Sequence, residues 1–376
     1  MSEPRPQPER IDLSQADDPR DVVHRAVACL AQGGVVGLST ETVYGLAASA
    51  LNSDAVSRLR RLKGLDPARL LTLLLRGSDE VTDWVPDLST LGRRLARRAW
   101  PGPVTLLFPN HHEQSLARCL PDDVRPLVVP GDYVALRVPA QPFVREVLRL
   151  LPAPLVISKS VGTGGDAATT AGGLAGQEGL SMIVDAGPTR LGQVSTIVRV
   201  ESERWTVVRP GAVDVATLTR MAGTILLFVC TGNTCRSPMA EALCKALLAR
   251  RLGCTTEQLE EKGYVVLSAG VAAQHGMPAA AHAIDVVRAR GGSLQQHTSR
   301  PITRDLIRHA DLIVAMTNDH LEALLDQAPE CAPRARLLHP EGGDVADPVG
   351  SDRETYLRTA YAIEQYLGQL LDDVGC

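Results

Sequence analysis

The sequence is poor in aromatic residues, which make up 3% of its 376 positions, and only three of them are phenylalanines. It contains no uninterrupted apolar run of about 18 residues, so no membrane-spanning helix is predicted. Basic residues are not in excess, because 39 lysines and arginines are set against 43 aspartates and glutamates, for a net charge of −4. This balance excludes binding of nucleic acid through bulk charge, although it leaves room for a local basic patch.

Neither the cysteines nor the histidines are arranged as a structural framework. The eight cysteines are scattered, which argues against the disulfide-rich scaffold of a small secreted domain. The nine histidines show no zinc-ligand spacing, so no metal site is predicted. The first ten residues, MSEPRPQPER, are polar and lack the apolar segment of a signal peptide. We therefore expect a protein of the reducing cytoplasm that does not contact a membrane.

The length and the order of elements predict two α/β domains. Residues 1–18 are polar and rich in proline, and we expect them to be a disordered tail. Residues 19–212 alternate strands with helices and include two late strands, 195–200 and 205–210, that are typical of a hairpin. A hairpin within an alternating series predicts a mixed sheet for this N-terminal domain.

A second series follows a segment without a clear core pattern. We expect residues 213–223 to be a linker and residues 224–376 to form a domain of their own. Its first strand, TILLFVC, is uniformly apolar and leads into a long helix, and a further helix over 354–371 closes the chain. Regular alternation of strand and helix predicts a doubly wound parallel sheet.

The strongest chemical signal is the loop CTGNTCRSP, residues 230–238, between that strand and that helix. A loop that leads into a helix N-terminus directs several backbone N–H groups at one point, where the helix dipole adds positive charge. Such a site stabilises both a phosphate group and a thiolate, so Cys230 is the candidate nucleophile. Arg236 can grip two phosphate oxygens with its planar guanidinium, which lysine cannot do.

The remaining loop residues fit the same purpose. Gly232 allows close approach of the backbone, and Asn233 tolerates the left-handed conformation that a tight loop requires. Ser237 is placed to hydrogen-bond the thiolate. The residues predicted to bind phosphate are Thr231, Gly232, Asn233, Thr234, Cys235 and Ser237.

A leaving group also needs a proton, and Asp347 is the candidate acid. It lies in a late loop, VADPVG, where Pro348 restricts the backbone. Asp347 would protonate the leaving group in the first step and accept a proton from water in the second.

With these motifs the last 150 residues or so resemble the low-molecular-weight protein phosphatases. The match includes SAG at 268–270, GGSLQQHTSR at 291–300 and ADLIVAMT at 310–317. The resemblance implies a phosphorylated protein as substrate and no cofactor. Thr234 resembles the branch that acts on phosphoarginine, and Val349-Gly350 replaces the aromatic residues typical of tyrosine-specific members. Phosphoarginine and phosphotyrosine both remain open as substrates.

The N-terminal domain resembles the threonylcarbamoyl-AMP synthase family. The matching segments are GGVVGLSTETVYGLAA (33–48), RLKG (61–64), WPGPVTLLFP (100–109), VALRVP (134–139), DAGPTRLGQVSTIV (185–198) and VVRPG (207–211). The resemblance implies a reaction of threonine, bicarbonate and ATP, with Mg²⁺ accompanying ATP, that serves tRNA modification. It also implies threonine-binding roles for Thr42, Arg137 and Thr196, and ATP-binding roles for Lys63, Ser158 and Arg209.

Three departures from the family pattern leave a second hypothesis open. Leu65 and Leu74 stand where the family has an arginine and a histidine, and 158–160 reads Ser-Lys-Ser where the family has Ser-Ala-Asn. The domain is therefore either a working synthase or a binding module for nucleotide or RNA. Arg93, Arg94, Arg97 and Arg98 form a basic helix that fits either a solvated face or contact with double-stranded RNA.

Overall fold

The computed structural model describes residues 8–63, 71–160, 165–175, 177 and 179–373, except for the side chain of Lys63. Its contacts divide the chain into two compact units, Met1–Met221 and Ala222–Cys376. No helix within the described ranges is long and apolar enough to cross a membrane.

The N-terminal unit is built on one ten-stranded mixed sheet, as predicted. Its strand order is β1-β8-β2-β3-β7-β4-β6-β5-β9-β10, and the late hairpin is the antiparallel pair β9–β10. The strands are β1 (Glu9–Asp12), β2 (Val36–Ser39), β3 (Tyr44–Ser49), β4 (Thr72–Leu74), β5 (Val104–Pro109), β6 (Tyr133–Arg137), β7 (Leu155–Lys159), β8 (Met182–Asp185), β9 (Thr196–Glu201) and β10 (Arg204–Arg209). The helices are α1 (Pro19–Ala31), α2 (Ser53–Lys63), α3 (Val81–Trp84), α4 (Thr90–Ala99), α5 (Arg125–Val128), α6 (Pro142–Leu150) and α7 (Val215–Ala222).

Helix α1 shows how this unit forms its core. The side chain of Asp18 accepts a hydrogen bond from the Arg20 N–H, and Pro19 occupies the first turn, so both residues fix the start of the helix. Its apolar face, which includes Leu30, packs with Val147 of α6 against β2 and β8. This packing covers one face of the sheet.

Two segments that were expected to be irregular contain regular structure. The expected disordered tail contains β1, which pairs in parallel with β8, and Arg10 forms an ion pair with Asp185. The expected linker 213–223 contains α7, whose first turn is capped by Asp214 through the Thr217 N–H at 2.7 Å. In the first case the strand depends on a partner about 170 residues away. In the second, a capping aspartate was present in the sequence but was not recognised as a helix start.

The C-terminal unit has a four-stranded, all-parallel sheet of order β12-β11-β13-β14, which confirms the predicted doubly wound class. Its strands are β11 (Thr224–Cys230), β12 (Tyr264–Gly270), β13 (Leu312–Ala315) and β14 (Ala335–Leu337). Its helices are α8 (Arg236–Leu252), α9 (Ala281–Arg288), α10 (Arg304–His309), α11 (Asn318–Gln327) and α12 (Arg353–Asp373).

The central strand β11 is buried on both faces, because its alternate side chains enter two different cores. Leu226 and Phe228 pack with residues of α8, α9 and α12, whereas Leu227 and Val229 pack with residues of α10 and α11. The chain leaves β11 toward β12 on one side and later reaches β13 on the other side. Connections that diverge in this way open a crevice at the carboxyl end of the strand, and Cys230 lies there.

Candidate functional site

Cys230 is the last residue of β11, and the loop 231–235 joins it to the first turn of α8. Its side chain is buried, and its Sγ lies 2.9 Å from Ser237 Oγ. The Ser237 hydroxyl also lies 3.3 Å from the Ala269 carbonyl, and its oxygen accepts a hydrogen bond from Asn233 Nδ2 at 3.0 Å. The Ser237 hydroxyl proton therefore has two acceptors within reach, the Ala269 carbonyl and the Cys230 sulfur, and its donation to a thiolate at Cys230 stays a prediction.

Asn233 is the left-handed residue of the loop, with φ of 53°, as predicted. Four contacts hold it in this conformation. Its Nδ2 donates to Ser237 Oγ and to Ser268 Oγ at 2.9 Å, and its Oδ1 accepts from the Arg300 N–H at 2.9 Å. Its carbonyl oxygen lies 2.9 Å from His297 Nε2. These contacts explain why the motifs at 268–270 and 291–300 accompany the loop.

The glycine that the loop packs against is Gly270. A Cβ at Gly270 would lie 2.4 Å from the Thr231 carbonyl oxygen and 2.9 Å from the Asn233 nitrogen, so no other residue fits. A Cβ at Gly232 would meet only Thr234 Oγ1, at 3.7 Å. Close packing against protein atoms therefore requires glycine at position 270, whereas Gly232 has space beside it, and the close backbone approach expected there stays a prediction.

Arg236 and Asp347 meet across this loop, although 111 residues separate them. Arg236 is 5% exposed, its Nη1 donates to the Val345 carbonyl at 3.2 Å, and its Nη2 lies 2.5 Å from Asp347 Oδ2. The Asp347 side chain is 40% exposed, and its Oδ1 accepts from the Val349 N–H. The nucleophile, the cation and the candidate acid thus belong to one site.

The other side of the loop contacts α12. Cys235 is buried, and its Sγ lies 3.1 Å from the Tyr356 hydroxyl and 3.7 Å from Thr234 Oγ1. Burial raises the pKa of Tyr356, and its contact with Cys235 raises it further, so the phenol stays neutral and can donate to sulfur. Cys235 thus anchors the loop to the core, while Thr234 lies nearer its rim.

A second group of polar residues lies in the N-terminal unit, around a cavity of about 100 Å³. Its lining is formed by strand residues and by the segment 40–45. Four of the predicted residues line it: Thr42, Arg137, Ser158 and Arg209. Thr40, Thr105, Lys159 and Ser195 also line the cavity and were not among the predicted residues.

Arg137 is held by a buried network. Its Nη2 donates to Glu41 Oε1 at 2.7 Å and to Thr42 Oγ1 at 3.1 Å, and its Nε donates to the Gly102 carbonyl at 3.1 Å. The side chains of Arg137 and Glu41 are 6% and 4% exposed. Because a buried charge requires a partner, Glu41 is the residue that allows an arginine in this cavity.

Arg209 and Thr196 differ in how they relate to the cavity. Arg209 Nη2 donates to the Ser195 carbonyl at 2.8 Å and to Ser195 Oγ at 3.0 Å, beside the lining. Thr196 is fully buried, and its Oγ1 contacts both the carbonyl and the N–H of Val213 at 2.9 Å. Since successive side chains of an extended chain alternate in direction, Ser195 and Ile197 line the cavity and Thr196 does not.

The departures from the family pattern have different structural settings. Leu74 is 1% exposed and packs in the core with Leu155 and Val147, outside the cavity lining. Lys159 lines the cavity, so the Ser-Lys-Ser sequence adds a cation beside Ser158. Leu65 and the side chain of Lys63 lie outside the described residues.

Comparisons with known proteins divide the chain in the same way. The family model described as "Telomere recombination" matches residues 28–211, and the model described as "Low molecular weight phosphotyrosine protein phosphatase" matches residues 225–375. The protein-arginine-phosphatase of Bacillus subtilis is 38% identical over 149 residues, which cover 39% of this chain and 93% of that protein.

Two threonylcarbamoyl-AMP synthases match the N-terminal unit. That of Bacillus subtilis is 30% identical over 57% of this chain and 60% of its own length, so this chain spans about three fifths of that relative. That of Chromohalobacter salexigens is 33% identical over 37% of this chain and 71% of its own length. The chain therefore belongs to two families, as a fusion of a threonylcarbamoyl-AMP synthase-like unit with a low-molecular-weight protein phosphatase unit.

Proposed function

We propose that the C-terminal unit hydrolyses phosphorylated proteins through a phosphocysteine on Cys230. The main support is that four side chains meet at one loop, at the carboxyl end of the central strand: Cys230, Ser237, Arg236 and Asp347. Asp347 lies 111 residues beyond Arg236 in the sequence, and a merely structural cysteine would require neither the buried arginine nor the partly exposed carboxylate.

The mechanism follows from what each group can do. The Cys230 thiolate attacks phosphorus, a P–S bond forms, and the bond from phosphorus to the leaving oxygen or nitrogen breaks while Asp347 gives that atom its proton. Water then attacks phosphorus, Asp347 takes its proton, and the P–S bond breaks to return the thiolate and release phosphate. Arg236 and the loop N–H groups stabilise the charge on the phosphoryl oxygens in both steps.

We propose phosphoarginine as the preferred substrate. Thr234 gives the rim of the loop a small hydroxyl, and Val349, which is 65% exposed, follows the acid where a stacking ring would be useful. Tyr356, the first aromatic residue after Asp347, is 3% exposed and faces Cys235, so it offers no ring to a phenol. Missing stacking costs a phenyl substrate about 0.5–1.5 kcal/mol.

Replacing Thr234 with isoleucine is expected to shift the preference toward phosphotyrosine. Wild type should show a higher kcat/KM on phosphoarginine peptides than on matched phosphotyrosine peptides, by about several-fold to tenfold. The substitution should flatten or reverse this ratio while aryl phosphatase activity is kept. A wild-type preference for phosphotyrosine, or an equal change for both peptides, would assign the unit to tyrosine phosphatases instead.

We further propose that the N-terminal unit is a working synthase, which joins threonine, bicarbonate and ATP and releases pyrophosphate. ATP enters as a substrate with Mg²⁺ on its phosphates. Support comes from Lys159 and Arg209, two cavity cations that suit a polyphosphate, and from the hydroxyls of Thr42 and Ser158 in the same lining. Pyrophosphate release that depends on threonine and bicarbonate distinguishes this activity from the alternative, a binding module that would bind ATP without turnover.

Roles outside the two reactions follow from the same assignment. The product of the synthase serves tRNA modification, and the thiolate of Cys230 requires a reducing compartment such as the cytoplasm.

Contact with RNA through α4 remains a prediction. Arg93 is its exposed arginine, whereas Arg94, Arg97 and Arg98 are half-buried and Arg98 donates to the Met221 carbonyl at 2.8 Å.

A further inference from the structure

His320 is a buried titratable group beside the phosphate loop that the mechanism above does not use. It lies in the first turn of α11 and is 4% exposed. Its Nδ1 is 2.8 Å from Thr317 Oγ1, and its Nε2 is 2.8 Å from Thr231 Oγ1. Thr231 directly follows the nucleophile and is exposed at the mouth of the loop. One imidazole therefore connects a helix cap to the rim of the phosphate site.

The donors available favour one direction for these hydrogen bonds. Thr317 Oγ1 caps α11 by accepting the His320 N–H at 3.4 Å, and its own hydroxyl proton is available to donate to Nδ1. A neutral imidazole that accepts at Nδ1 carries its proton on Nε2. Nε2–H then donates to Thr231 Oγ1, which leaves the hydroxyl proton of Thr231 without an acceptor among the residues that the structure describes.

The surroundings of His320 keep the ring neutral, as this tautomer requires. Burial lowers the pKa of His320, and the charge of Arg236 lowers it further. Asp347, Asp319 and Asp344 oppose the shift without reversing it. The charged groups that act on the ring include Arg236 and Asp347, so His320 lies close enough to the phosphate site to interact with both.

We propose that His320 is a positioning residue, which fixes the Thr231 hydroxyl as a donor to a phosphoryl oxygen of the bound substrate. This inference rests on the proposed phosphatase function. Its ligand is the phosphoryl group, which all substrates of this site share, so it is independent of the preference for phosphoarginine. The hydroxyl adds a side-chain donor at the rim to the backbone donors of the loop.

The test uses four variants of the full chain: Thr231→Val, His320→Asn, His320→Gln and the double variant Thr231→Val with His320→Asn. A glutamine amide nitrogen occupies the place of Nε2, whereas that of asparagine occupies the place of Nδ1. A lost hydrogen bond to a charged group corresponds to about a tenfold to hundredfold change. We expect Thr231→Val and His320→Asn each to lower kcat/KM on para-nitrophenyl phosphate to that extent. Each should also weaken binding of inorganic phosphate by the same factor.

Rescue and non-additivity distinguish positioning from packing. His320→Gln should stay within about threefold of wild type, and the double variant should be no worse than Thr231→Val alone. The proposal is overturned if Thr231→Val, at an exposed position that tolerates valine, leaves phosphate binding unchanged. It is also overturned if His320→Gln is as impaired as His320→Asn, or if the two effects multiply. Calorimetric binding of inorganic phosphate needs no turnover, so it tests this inference even if the chain hydrolyses no phosphorylated protein.

Discussion

Replacing Cys230 with serine is expected to reduce turnover of phosphorylated substrates by a factor on the order of 10⁴ or more, because the nucleophile itself is removed. Serine has nearly the same shape, but its hydroxyl is far harder to ionise than a thiol. The fold should persist, since the residue ends a strand that pairs with β12 along its whole length and with β13 over Leu226–Val229. The measurement is hydrolysis of an aryl phosphate, with circular dichroism to verify the fold.

Cys331→Ser provides the matched control. Cys331 is also a fully buried free thiol of the C-terminal unit, but it packs with α10 and α11 rather than in the phosphate loop. The Cys331→Ser variant should be less stable than the wild type but hydrolyse the aryl phosphate at the same rate. Equal loss of activity in both variants would mean that burial of a hydroxyl, not loss of a nucleophile, explains the result. Unchanged hydrolysis by Cys230→Ser would remove Cys230 from the mechanism.

Replacing Asp347 with asparagine is expected to slow turnover by about 10²- to 10⁴-fold for substrates with poor leaving groups. An activated phenol leaves without much protonation and should be affected less. The carboxylate is partly exposed and contacts Arg236, so it faces the space above the loop while remaining accessible to a substrate. The measurement is kcat across a series of aryl phosphates of increasing leaving-group pKa.

Asp344→Asn separates catalysis from loop structure. Asp344 lies three residues earlier in the same loop, and its Oδ1 accepts from the backbone N–H of Asn318 at 2.8 Å. This variant should lose stability and show no dependence on the leaving group. If Asp347→Asn slows every substrate equally, or if Asp344→Asn shows the same slope, Asp347 is not the acid.

The phosphate site was predictable from sequence where its geometry is local. Cys230, Asn233, Arg236 and Ser237 lie within one strand–loop–helix unit, and such a unit dictates the direction of its backbone N–H groups. An aspartate before proline in a late loop is also a recognisable pattern, and the structure brings Asp347 into contact with Arg236.

Residues that act through tertiary contacts could not be assigned in this way. Ser268, His297 and the backbone of Arg300 hold Asn233 from 35 to 67 residues away, and their motifs revealed membership of a family but not their roles. In the sequence alone, His320 cannot be distinguished from the other polar residues of an amphipathic helix. Only the packing of α11 against the loop brings it to Thr231.

The N-terminal cavity shows a different limit of sequence reasoning. Arg137 and Thr42 were placed correctly at the cavity, but the balancing charge of Glu41 was not predicted, although it directly precedes Thr42. Thr196 was predicted to bind threonine, but its neighbour Ser195 is the residue that lines the cavity. Side-chain direction reverses at each residue of an extended chain, so a motif locates the segment but not the residue that faces the ligand.

The central claim is that one chain carries two separate catalytic sites, and the Cys230→Ser chain tests it most directly. Release of pyrophosphate from ATP is measured with this variant, with and without threonine and bicarbonate. We expect the Cys230→Ser chain to release pyrophosphate at the wild-type, threonine-dependent rate although it no longer hydrolyses aryl phosphates. Absence of threonine-dependent release from both the wild type and the variant would contradict it, and would make the N-terminal unit a binding module attached to a phosphatase.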